Sequence, residues 1–453
     1  MDRRNLLRWS SAASVLGAAA ALPERGRAAA TTASALGLDA TQMGVRTGTA
    51  EDQTGALQRA VERAAAARVP LVLPPGTYHT NGLKLPAGTT LVGIPGATRL
   101  VYGGGPSLLA ANHVDQISLT GLTLDGNKRS LPPREGLVHF EFCRGVRIAD
   151  CAIVGSGGHG IMLATIEGEV TGSRIADAAD VALWSYDAQG LTVAGNAISN
   201  AGNNGIQIIR SAPGPDGTMV LDNRIDDTHN RLGGSGQYGN AVNAFRADDV
   251  IVRGNIIRRC AFSAVRGNSA SNIQIVGNTV ERAGECALYS EFAFEGAVIA
   301  QNLVDGAETG VSVANFMQGG RLAVVQGNII RNLAPRESPA DGGLRGTGIY
   351  VEADTAVTGN VVENARDIGI IAGWGSFMRD VAVTGNVIRQ AGIGVGVSVV
   401  PGAGSVLVAS NVISGSRRGA ILGMDHARPI TGELAKEGVQ LHPNLSISGN
   451  RVS

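Results

Sequence analysis

One short pattern is repeated through most of the chain, from about residue 150 to its end. Residues 193–208 show it most clearly: an apolar strand, a Gly-Asn step, a branched aliphatic residue, a polar turn, and a glycine that begins a second aliphatic strand. The Asn of this step recurs at Asn196, Asn223, Asn255, Asn278, Asn302, Asn328, Asn360, Asn386, Asn411 and Asn450. Coils of about 25 residues are too short to bury an apolar face alone, so each must stack on its neighbours. The repeat therefore predicts one elongated solenoid.

The repeated Asn is expected to be structural. An Asn at a stacked bend tolerates the left-handed backbone conformation and can hydrogen-bond the Asn of the next coil as a ladder. Because the bend recurs in every coil, a catalytic role for these residues is disfavoured.

Composition narrows the kind of solenoid and its partners. Of 453 residues, 64 are glycine and only 4% are aromatic, which favours β coils over stacked helices. Basic and acidic residues balance at 38 each, and a nucleic-acid binder normally carries a basic excess, so that class is disfavoured. The cysteines lack metal-ligand spacing and are predicted to be small interior residues, at Cys143, Cys151, Cys260 and Cys286.

The first thirty residues have the order of a twin-arginine export signal. Arg3 and Arg4 precede a weakly apolar run, and Ala28–Ala30 suit a cleavage site. We expect the twin-arginine (Tat) export machinery to carry the protein to the periplasm or outside the cell, with residues 1–30 removed and residues 31–49 forming a flexible leader. The apolar run is too short to span a membrane comfortably, so the processed chain is not expected to span one.

The segment that leads into the repeats has its own motifs. A helix is predicted at about residues 53–67, where Asp52 or Thr54 can cap an alanine-rich stretch. Pro-Pro-Gly-Thr-Tyr follows at 74–78, and Leu-x-Leu-Pro-x-Gly-Thr-x-Leu-x-Gly at 83–93. This order resembles the N-terminal part of pectate-lyase-like right-handed parallel β-helix proteins. With its leader, the whole chain is similar to bacterial twin-arginine-translocated repeat proteins.

The resemblance implies an all-β fold. Residues 50–453 would form a single-stranded right-handed parallel β-helix, a solenoid with its repeats at about 110–453 and a short N-terminal capping α-helix over its open end. Proteins of this kind include lyases, hydrolases, epimerases and non-catalytic adhesins or tail-spike modules. The resemblance therefore implies the fold without choosing a reaction.

A period of two along the second strand of each coil separates inward from outward side chains. In the stretch 206–208 the two isoleucines point inward and Gln207 points outward. The same outward position is assigned to Met162, Ala182, Asn243, Arg266, Tyr289, Ser312, Tyr350, Ile371 and Gly396. Two places further on stand Trp184, Phe245, Asn268, Glu291 and Glu352, with Arg210, Arg246 and Trp374 one place beyond. Insertions at 211–217, 228–238, 334–345 and 373–380 flank this face and are expected to wall a groove.

The side chains of this groove suggest a sugar polymer. Aromatic faces and planar hydrogen-bonding groups bind sugars, and arginine binds the carboxylates of uronates. An extended, acidic polysaccharide is the predicted ligand. Its predicted binding residues are Gln207, Asn243, Arg246, Tyr350, Trp184 and Trp374.

Two reactions are compatible with the candidate catalytic residues. Glu291 and Glu352 occupy matching positions two coils apart, so their backbones should lie about 10 Å apart, which suits an acid and a base in inverting glycoside hydrolysis. Arg266 and Tyr289 suit β-elimination instead, with arginine neutralising a uronate carboxylate and tyrosine taking the C5 proton. Charged groups on an exposed strand are also commonly just solvated.

Further candidates are His159 with Asp180, as an acid–base pair or as repeat-position residues. The pairs Asp226-Asp227 and Asp248-Asp249 can contribute to a Ca²⁺ site or simply cap turns; the cofactor therefore stays open. At the C-terminal end, the segment 424–443 or a second chain can cover the last coil.

The sequence thus predicts an exported β-helix protein that acts on, or binds, an extracellular or cell-envelope polysaccharide as a lyase or glycoside hydrolase. The alternative is a non-catalytic structural, adhesion or carbohydrate-binding module of the cell envelope. An acid and a base converging in a walled cleft would favour the enzyme, and a flat face would favour the module.

Overall fold

The chain winds into a parallel β solenoid. The computed structural model describes residues 37–335, 346–435 and 442–453. Each coil contributes strands to three faces, here called the first, second and third sheets, and strands of successive coils pair in parallel within each sheet. The predicted fold class, a parallel β solenoid with one short N-terminal helix, is confirmed. The signal residues Arg3 and Arg4 lie outside the described residues.

The first sheet carries the face on which the site was predicted. Its strands are Leu83–Lys84, Leu109–Asn112, the first half of Gly136–Ala149, the first half of His159–Thr171, Leu183–Tyr186, Ile206–Pro215, Val242–Asp248, Val265–Asn268, Cys286–Glu291, Thr309–Val313, Thr347–Val351, Ile368–Ala372, Ile393–Ser398 and Gly419–Asp425.

The second sheet follows around a corner of each coil. Its strands are Leu38–Asp39, Leu71–Val72, Thr90–Val92, Ser118–Thr120, the second halves of Gly136–Ala149 and His159–Thr171, Thr192–Ala194, Met219–Leu221, Ile251–Arg253, Ile273–Val276, Glu295–Ala300, Arg321–Gln326, Ala353–Thr358, Arg379–Thr384, Val406–Ala409 and Leu445–Ser448.

The third sheet begins after the Asn bend. Its strands are Gly76–Thr80, Thr98–Tyr102, Thr123–Asp125, Ala152–Val154, Arg174–Ala176, Ala197–Ala201, Arg224–Thr228, Ile256–Cys260, Thr279–Ala283, Leu303–Ala307, Ile329–Leu333, Val361–Ala365, Val387–Arg389, Val412–Ser414 and Arg451–Val452.

Stacked aliphatic side chains fill the interior. The first sheet alone contributes one inward row, Ile161, Leu183, Ile206, Val242, Val265, Leu288, Val311, Ile349, Ile370, Val395 and Ile421, and all of them are buried. The four cysteines are also buried, as predicted, and none forms a disulfide.

The repeated Asn residues form a hydrogen-bonded ladder from Asn196 to Asn450, and its members from Asn196 to Asn411 are buried. In a typical rung, the backbone N–H and the Nδ2 of Asn278 both donate to Oδ1 of Asn302, over 2.9 and 3.0 Å. Nδ2 of Asn278 also donates to the Val252 carbonyl oxygen at 3.0 Å. The predicted ladder is therefore present, but the left-handed conformation belongs to the residue before the Asn, such as Gly277 at φ +67°. A glycine suits that place because it lacks the Cβ that this conformation strains.

The N-terminal helix covers the first coils, as predicted. It spans Thr54–Ala67 and buries Leu57, Ala60 and Val61 against the core. The backbone N–H of Thr54 donates to the Asp52 carboxylate at 2.9 Å. The predicted leader at 31–49 is wrong for its described part. Leu38–Asp39 pairs with Leu71–Val72, and a 3-10 helix at 40–43 follows, because Ala40 and Val45 supply apolar surface to the core.

An antiparallel hairpin covers the C-terminal edge of the first sheet. Gly419–Asp425 pairs with Arg428–Glu433, and the Glu433 carboxylate accepts the Ile421 N–H at 3.0 Å. Of the two predicted alternatives, the segment 424–443 or a second chain, the described part of the segment covers this end of the first sheet. No helix in the described ranges is long and apolar enough to cross a membrane.

Candidate functional site

The outward row of the first sheet has the predicted register, with one correction. Gln207, Asn243, Arg266, Tyr289, Ser312, Tyr350, Ile371 and Gly396 pair in succession across neighbouring strands. Trp184, and not Ala182, stands between Met162 and Gln207 in this row. Three consecutive apolar residues precede Trp184, so the period of two gave no unique phase there. Leu183 takes the inward position, and Ala182 is buried at the start of the strand.

A glycine-rich loop lies across part of this row. The insertion at 228–238 is predicted to wall a groove, but its Gln237 carbonyl oxygen accepts hydrogen bonds from Asn204 at 3.0 Å and Asn243 at 3.2 Å. As a result Gln207, Asn243 and Arg266 are only 8%, 5% and 8% exposed. Two predicted sugar-binding residues, Gln207 and Asn243, therefore lie under a loop rather than on an open floor.

A cavity of about 400 Å³ opens immediately beyond the covered part of the row. Its described lining is Glu285, Cys286, Tyr289, Glu308, Thr309, Ser312, Ala314, Asn315, Met317, Gln318, Tyr350, Glu352, Trp374 and Phe377. Its floor is the outward row of three successive coils, Tyr289, Ser312 and Tyr350. Of the predicted residues, the cavity brings together Tyr289, Tyr350, Glu352 and Trp374.

Aromatic rings form one wall of the cavity. The Tyr350 and Trp374 rings meet edge to face, with their centroids 5.9 Å apart. On its far side Trp374 meets the ring of His426, from the C-terminal hairpin, at 5.2 Å. A small apolar cluster that includes Ile371 and Leu422 supports both aromatic residues from below. The wall is therefore a packed part of the solenoid.

Glu352 is held in place at one end of the cavity. Its carboxylate accepts hydrogen bonds from the Tyr350 hydroxyl and from the Phe316 N–H, the latter at 2.6 Å. Burial, reinforced by the Glu352 carboxylate, raises the pKa of Tyr350 well above its ordinary value. The Tyr350 phenol therefore stays protonated and serves as a donor.

Glu291, the other predicted catalytic glutamate, is buried and does not line the cavity. It is 2% exposed, and its Oε1 accepts from Arg266 Nε at 2.6 Å and from Asn268 Nδ2 at 2.9 Å. Burial alone would lower the pKa of Arg266, but the carboxylates of Glu291 and Glu285 outweigh it, so the pKa is raised. The predicted pairing of Glu291 with Glu352 across one cleft is not formed, because Glu291 bonds to Arg266 and does not line the cavity.

Arg266 and Tyr289 are neighbours, as the predicted elimination chemistry requires, but they are not free to act. The Arg266 guanidinium lies 5.3 Å from the centre of the Tyr289 ring and is paired with Glu291. Burial and the Glu291 carboxylate raise the pKa of Tyr289. A phenol that keeps its proton is a poor base.

Two glutamates that were not singled out from the sequence line the cavity. Glu285 and Glu308 stand just before the strands Cys286–Glu291 and Thr309–Val313, in equivalent places of adjacent coils, since the Glu308 N–H donates to the Glu285 carbonyl oxygen at 3.0 Å. Arg266 Nη1 lies 3.9 Å from Glu285 Oε2. Asn203 holds the same place three coils before Glu285 and four coils before Glu308. Both glutamates therefore occupy one repeat position, just as Gln207 and its equivalents do.

The remaining sugar-binding candidates lie away from the cavity. Arg246 is exposed, packs its guanidinium 4.8 Å from the Phe245 ring centre, and donates to the Ser211 carbonyl oxygen at 3.4 Å. Trp184 contacts His159 edge to face at 4.4 Å. Burial lowers the pKa of His159 to about 4, so the ring is neutral and its Nδ1 accepts the Val181 N–H at 3.3 Å.

The aspartate pairs bind protein groups. Asp226 and Asp227 both pair with Arg259. Asp248 accepts the Ser271 N–H at 2.7 Å, and Asp249 accepts from the Asn272 amide at 3.0 Å. Within the described ranges, no group of three His, Cys, Asp or Glu side chains is arranged to hold a metal ion.

Comparison with known proteins defines the class. The family model described as the right handed beta helix region matches residues 102–225, 168–326 and 214–388, which together cover more than half of the chain. The chain belongs to this right-handed β-helix family. A search of curated proteins finds no match.

Solved structures share the fold at low sequence identity. The N-terminal fragment of bacteriophage phi29 gene product 12 is 16% identical, with a TM-score of 0.58 over 94% of this chain and 72% of its own. An alginate lyase of family PL6, solved with a trisaccharide, is 14% identical, with a TM-score of 0.51 over 92% of this chain and 95% of its own. The Dettilon tailspike protein is 15% identical, with a TM-score of 0.51 over 85% and 68%. At such identities the likeness is one of fold.

Proposed function

We propose that the protein binds a glycan in the cavity and hydrolyses one of its glycosidic bonds, with Glu285 and Glu308 as the catalytic carboxyl pair. The observation that carries this proposal is the convergence of these two glutamates on a cavity walled by tyrosine and tryptophan. Aromatic faces bind the apolar faces of sugar rings, and paired carboxyl groups are the usual machinery of glycoside hydrolysis.

The spacing of the pair favours a retaining mechanism. Adjacent parallel strands lie about 4.8 Å apart, and the two carboxyl groups of retaining enzymes are separated by about 5 Å. Glu285 is the candidate nucleophile, because Arg266 stabilises a negative charge there. Its carboxylate would attack the anomeric carbon while the nearly buried Glu308 gives its proton to the departing glycosidic oxygen. Glu308 would then take a proton from the water that releases the sugar from Glu285.

Hydrolysis is favoured over β-elimination by the charge of the cavity. Elimination needs a cation to neutralise a uronate carboxylate and a base to take a proton. The candidate cation, Arg266, is bound to Glu291 at 2.6 Å, and the Tyr289 phenol keeps its proton. The acidic glycan expected from the sequence is therefore the less favoured ligand.

Two further considerations support a glycan and an exported protein. The PL6 structure named above is an alginate lyase in complex with a trisaccharide, so a protein that acts on a glycan shares this solenoid. Periplasmic or secreted localisation through the Tat machinery rests on Arg3, Arg4 and the residues after them.

The test is an assay of the mature protein on neutral, amino and uronate polysaccharides. New reducing ends without unsaturated uronate absorbance are expected, and Glu308→Gln should lower the rate roughly 100- to 10,000-fold, the usual contribution of a general acid. Glu363→Gln is the matched control, since Glu363 pairs with Arg389 on the third sheet at 3.3 Å. Unsaturated products would establish a lyase instead. Binding with no product from any substrate would support the non-catalytic module.

A further inference from the structure

The outward face of the second sheet is almost free of charge. One row of its outward side chains, here called the uncharged row, pairs in succession across eight neighbouring strands: Met219, Ile251, Gln274, Val298, Val324, Ala356, Ala382 and Leu407. The outward residues two places further along the same strands are Leu221, Arg253, Val276, Ala300, Gln326, Thr358, Thr384 and Ala409. Of these sixteen described positions, Arg253 alone carries a charge.

The third sheet of the same coils shows that this is not a general property of the solenoid. One of its outward rows is charged throughout and runs through Arg258, Glu281, Asp305, Arg331, Glu363 and Arg389. Its members form ion pairs across neighbouring strands, as Arg331 does with Asp305 at 2.8 Å. Such pairs suit a sheet face that stays in water. A broad exposed patch without them is typical of a surface that meets another molecule.

The uncharged row has a definite shape. Val298 and Val324, near its middle, are 40% and 36% exposed. Beyond Val324 the row falls to two small residues, Ala356 and Ala382, and a groove of about 620 Å³ lies over these four positions. Before Val298 the row consists of the longer side chains of Met219, Ile251 and Gln274. One half of the row is therefore raised and the other half is hollow.

We propose that this face binds a second copy of the chain, with the two solenoids antiparallel and a two-fold axis passing along the strand direction between Val298 and Val324. A two-fold interface joins the same patch on both copies, so the patch must be complementary to itself. The row has eight members, and its midpoint falls between these two valines. The axis therefore places the raised half of each row against the hollow half of the other.

The fit of individual residues supports this arrangement. Gln274 of one copy meets Ala356 of the other, and Ile251 meets Ala382, so a long side chain faces an alanine in both cases. Because both copies have the same spacing between strands, the match repeats along the row. At the edge of the groove, Leu322 is 44% exposed and stands one coil beyond Gly296 in the same position. The axis lays each Leu322 over the Gly296 of the other copy, where no side chain obstructs it.

The area is sufficient for a specific dimer. Eight coils about 4.8 Å apart, with strands of about five residues at about 3.3 Å each, form a face of roughly 38 Å by 16 Å, or about 600 Å². Two such faces together bury about 1,200 Å², which reaches the lower bound of stable protein interfaces. The cavity lies on the first sheet, so this inference goes beyond the proposed function and does not depend on it.

Sedimentation equilibrium of the purified protein over about 1 to 100 µM tests the association. We expect a mass twice that of one chain at the upper concentrations. Val324→Arg places a charge beside the axis in both copies and should weaken the dimer at least about 100-fold. Ile329→Arg is the matched control, since Ile329 is 45% exposed on the third sheet of the same coil and should leave the dimer unchanged. A thermal melt verifies that each variant is folded.

Crosslinking tests the antiparallel arrangement. A bifunctional maleimide that spans about 8 Å should join two copies of the double variant Gln274→Cys/Ala356→Cys, whose thiols face each other across the interface. Either single variant should stay uncrosslinked, because its two thiols lie about three coils, or 14 Å, apart along the axis. The parent protein is the control for its own four cysteines, which are buried.

Salt gives an independent readout. The arrangement brings Asp249 near Asp380 of the other copy at the edge of the interface, whereas the rows between them carry no charge. Raising the salt concentration from about 0.05 to about 0.5 M screens this repulsion and should tighten the dimer. A dimer that dissociates as salt rises would be held by charge attraction and would overturn the inference.

Three other outcomes would also overturn it. A monomer at about 100 µM would show that the face does not bind a second copy at useful strength. A dimer that tolerates Val324→Arg, or is lost in Ile329→Arg, would place the contact on another surface. Crosslinking of the Gln274→Cys single variant would indicate parallel solenoids, which bring each residue of the row against itself. None of these results would alter the proposed glycan hydrolysis, which is measured separately.

Discussion

Replacing Arg266 by methionine separates a structural role of the Arg266–Glu291 pair from a catalytic one. Methionine keeps the apolar stem of the side chain and removes the guanidinium. Glu291 would then remain almost fully buried with a charge and without its main partner. Removing one partner of a buried pair typically destabilises a protein by about 3–5 kcal/mol.

The hydrogen bonds of Glu291 give a similar figure. The carboxylate would lose its bond from Arg266 Nε and its contact with Nη2, both at 2.6 Å. It would keep the bond from Asn268 Nδ2 at 2.9 Å. Two charge-assisted bonds at about 1.5–3 kcal/mol each amount to roughly 3–6 kcal/mol. The free energy of unfolding of Arg266→Met should therefore fall by about 3–5 kcal/mol.

A double-mutant cycle completes this test. Glu291→Gln removes the other charge, and the two single changes together should cost at least about 2 kcal/mol less than the sum of their separate costs. Urea unfolding followed by circular dichroism gives these values from the midpoints and slopes. Additive effects, or a free energy of unfolding of Arg266→Met equal to that of the parent protein, would refute the structural role of the pair.

Three other predictions concern the ladder, one histidine and export. Asn302→Ala should lower the free energy of unfolding, measured in urea, by about 2–5 kcal/mol, because it leaves hydrogen-bonding groups of the Asn ladder unpaired in the interior. Asn450→Ala, at the end of the ladder, should lower it by about 1 kcal/mol. The pKa of His159 is about 4 in the folded protein and about 6.5 in the unfolded chain. Between these two pH values the unfolded chain binds one proton more than the folded protein does. About 3 kcal/mol of stability that is present above pH 6.5 is therefore lost as the pH falls towards 4. His159→Gln should flatten this dependence of the unfolding midpoint on pH. Replacing Arg3 and Arg4 by lysine should keep the protein in the cytoplasm in a fractionation immunoblot; normal export would refute the Tat assignment.

The fold could be predicted because every coil repeats the same Asn bend and the same alternation of apolar and polar residues. The Asn step fixed the bend, and the alternation around Gln207 fixed which side chains face outward, so the register of Tyr289 and Tyr350 was predictable. The phase was wrong at Trp184 because Val181, Ala182 and Leu183 are all apolar. Where alternation is lost, two phases bury equal amounts of apolar surface.

The site was harder to predict because loops follow no repeat. Nothing in the composition of 229–239 indicated whether it would stand beside the row or lie upon it. Its glycines let the backbone approach Arg266 closely, since a Cβ on Gly236 would meet the guanidinium. Because the loop covers the row as far as Arg266, the accessible part of the row begins at Tyr289, further towards the C-terminus. The cavity that remains open is lined by Glu285 and Glu308. These residues lie just before their strands, so the alternation within the strands did not predict them.

Two of the described structures near the cavity limit how a polymer can enter it. On one side the glycine-rich loop lies over Arg266, and on the other Trp374 is backed by His426 of the hairpin. A long glycan laid along the solenoid axis would meet both obstacles. For the proposed hydrolase, this arrangement favours a chain terminus or a side branch as the bound part of the glycan. An enzyme with this shape would trim its polymer from the ends, releasing short products early while the average chain length falls slowly.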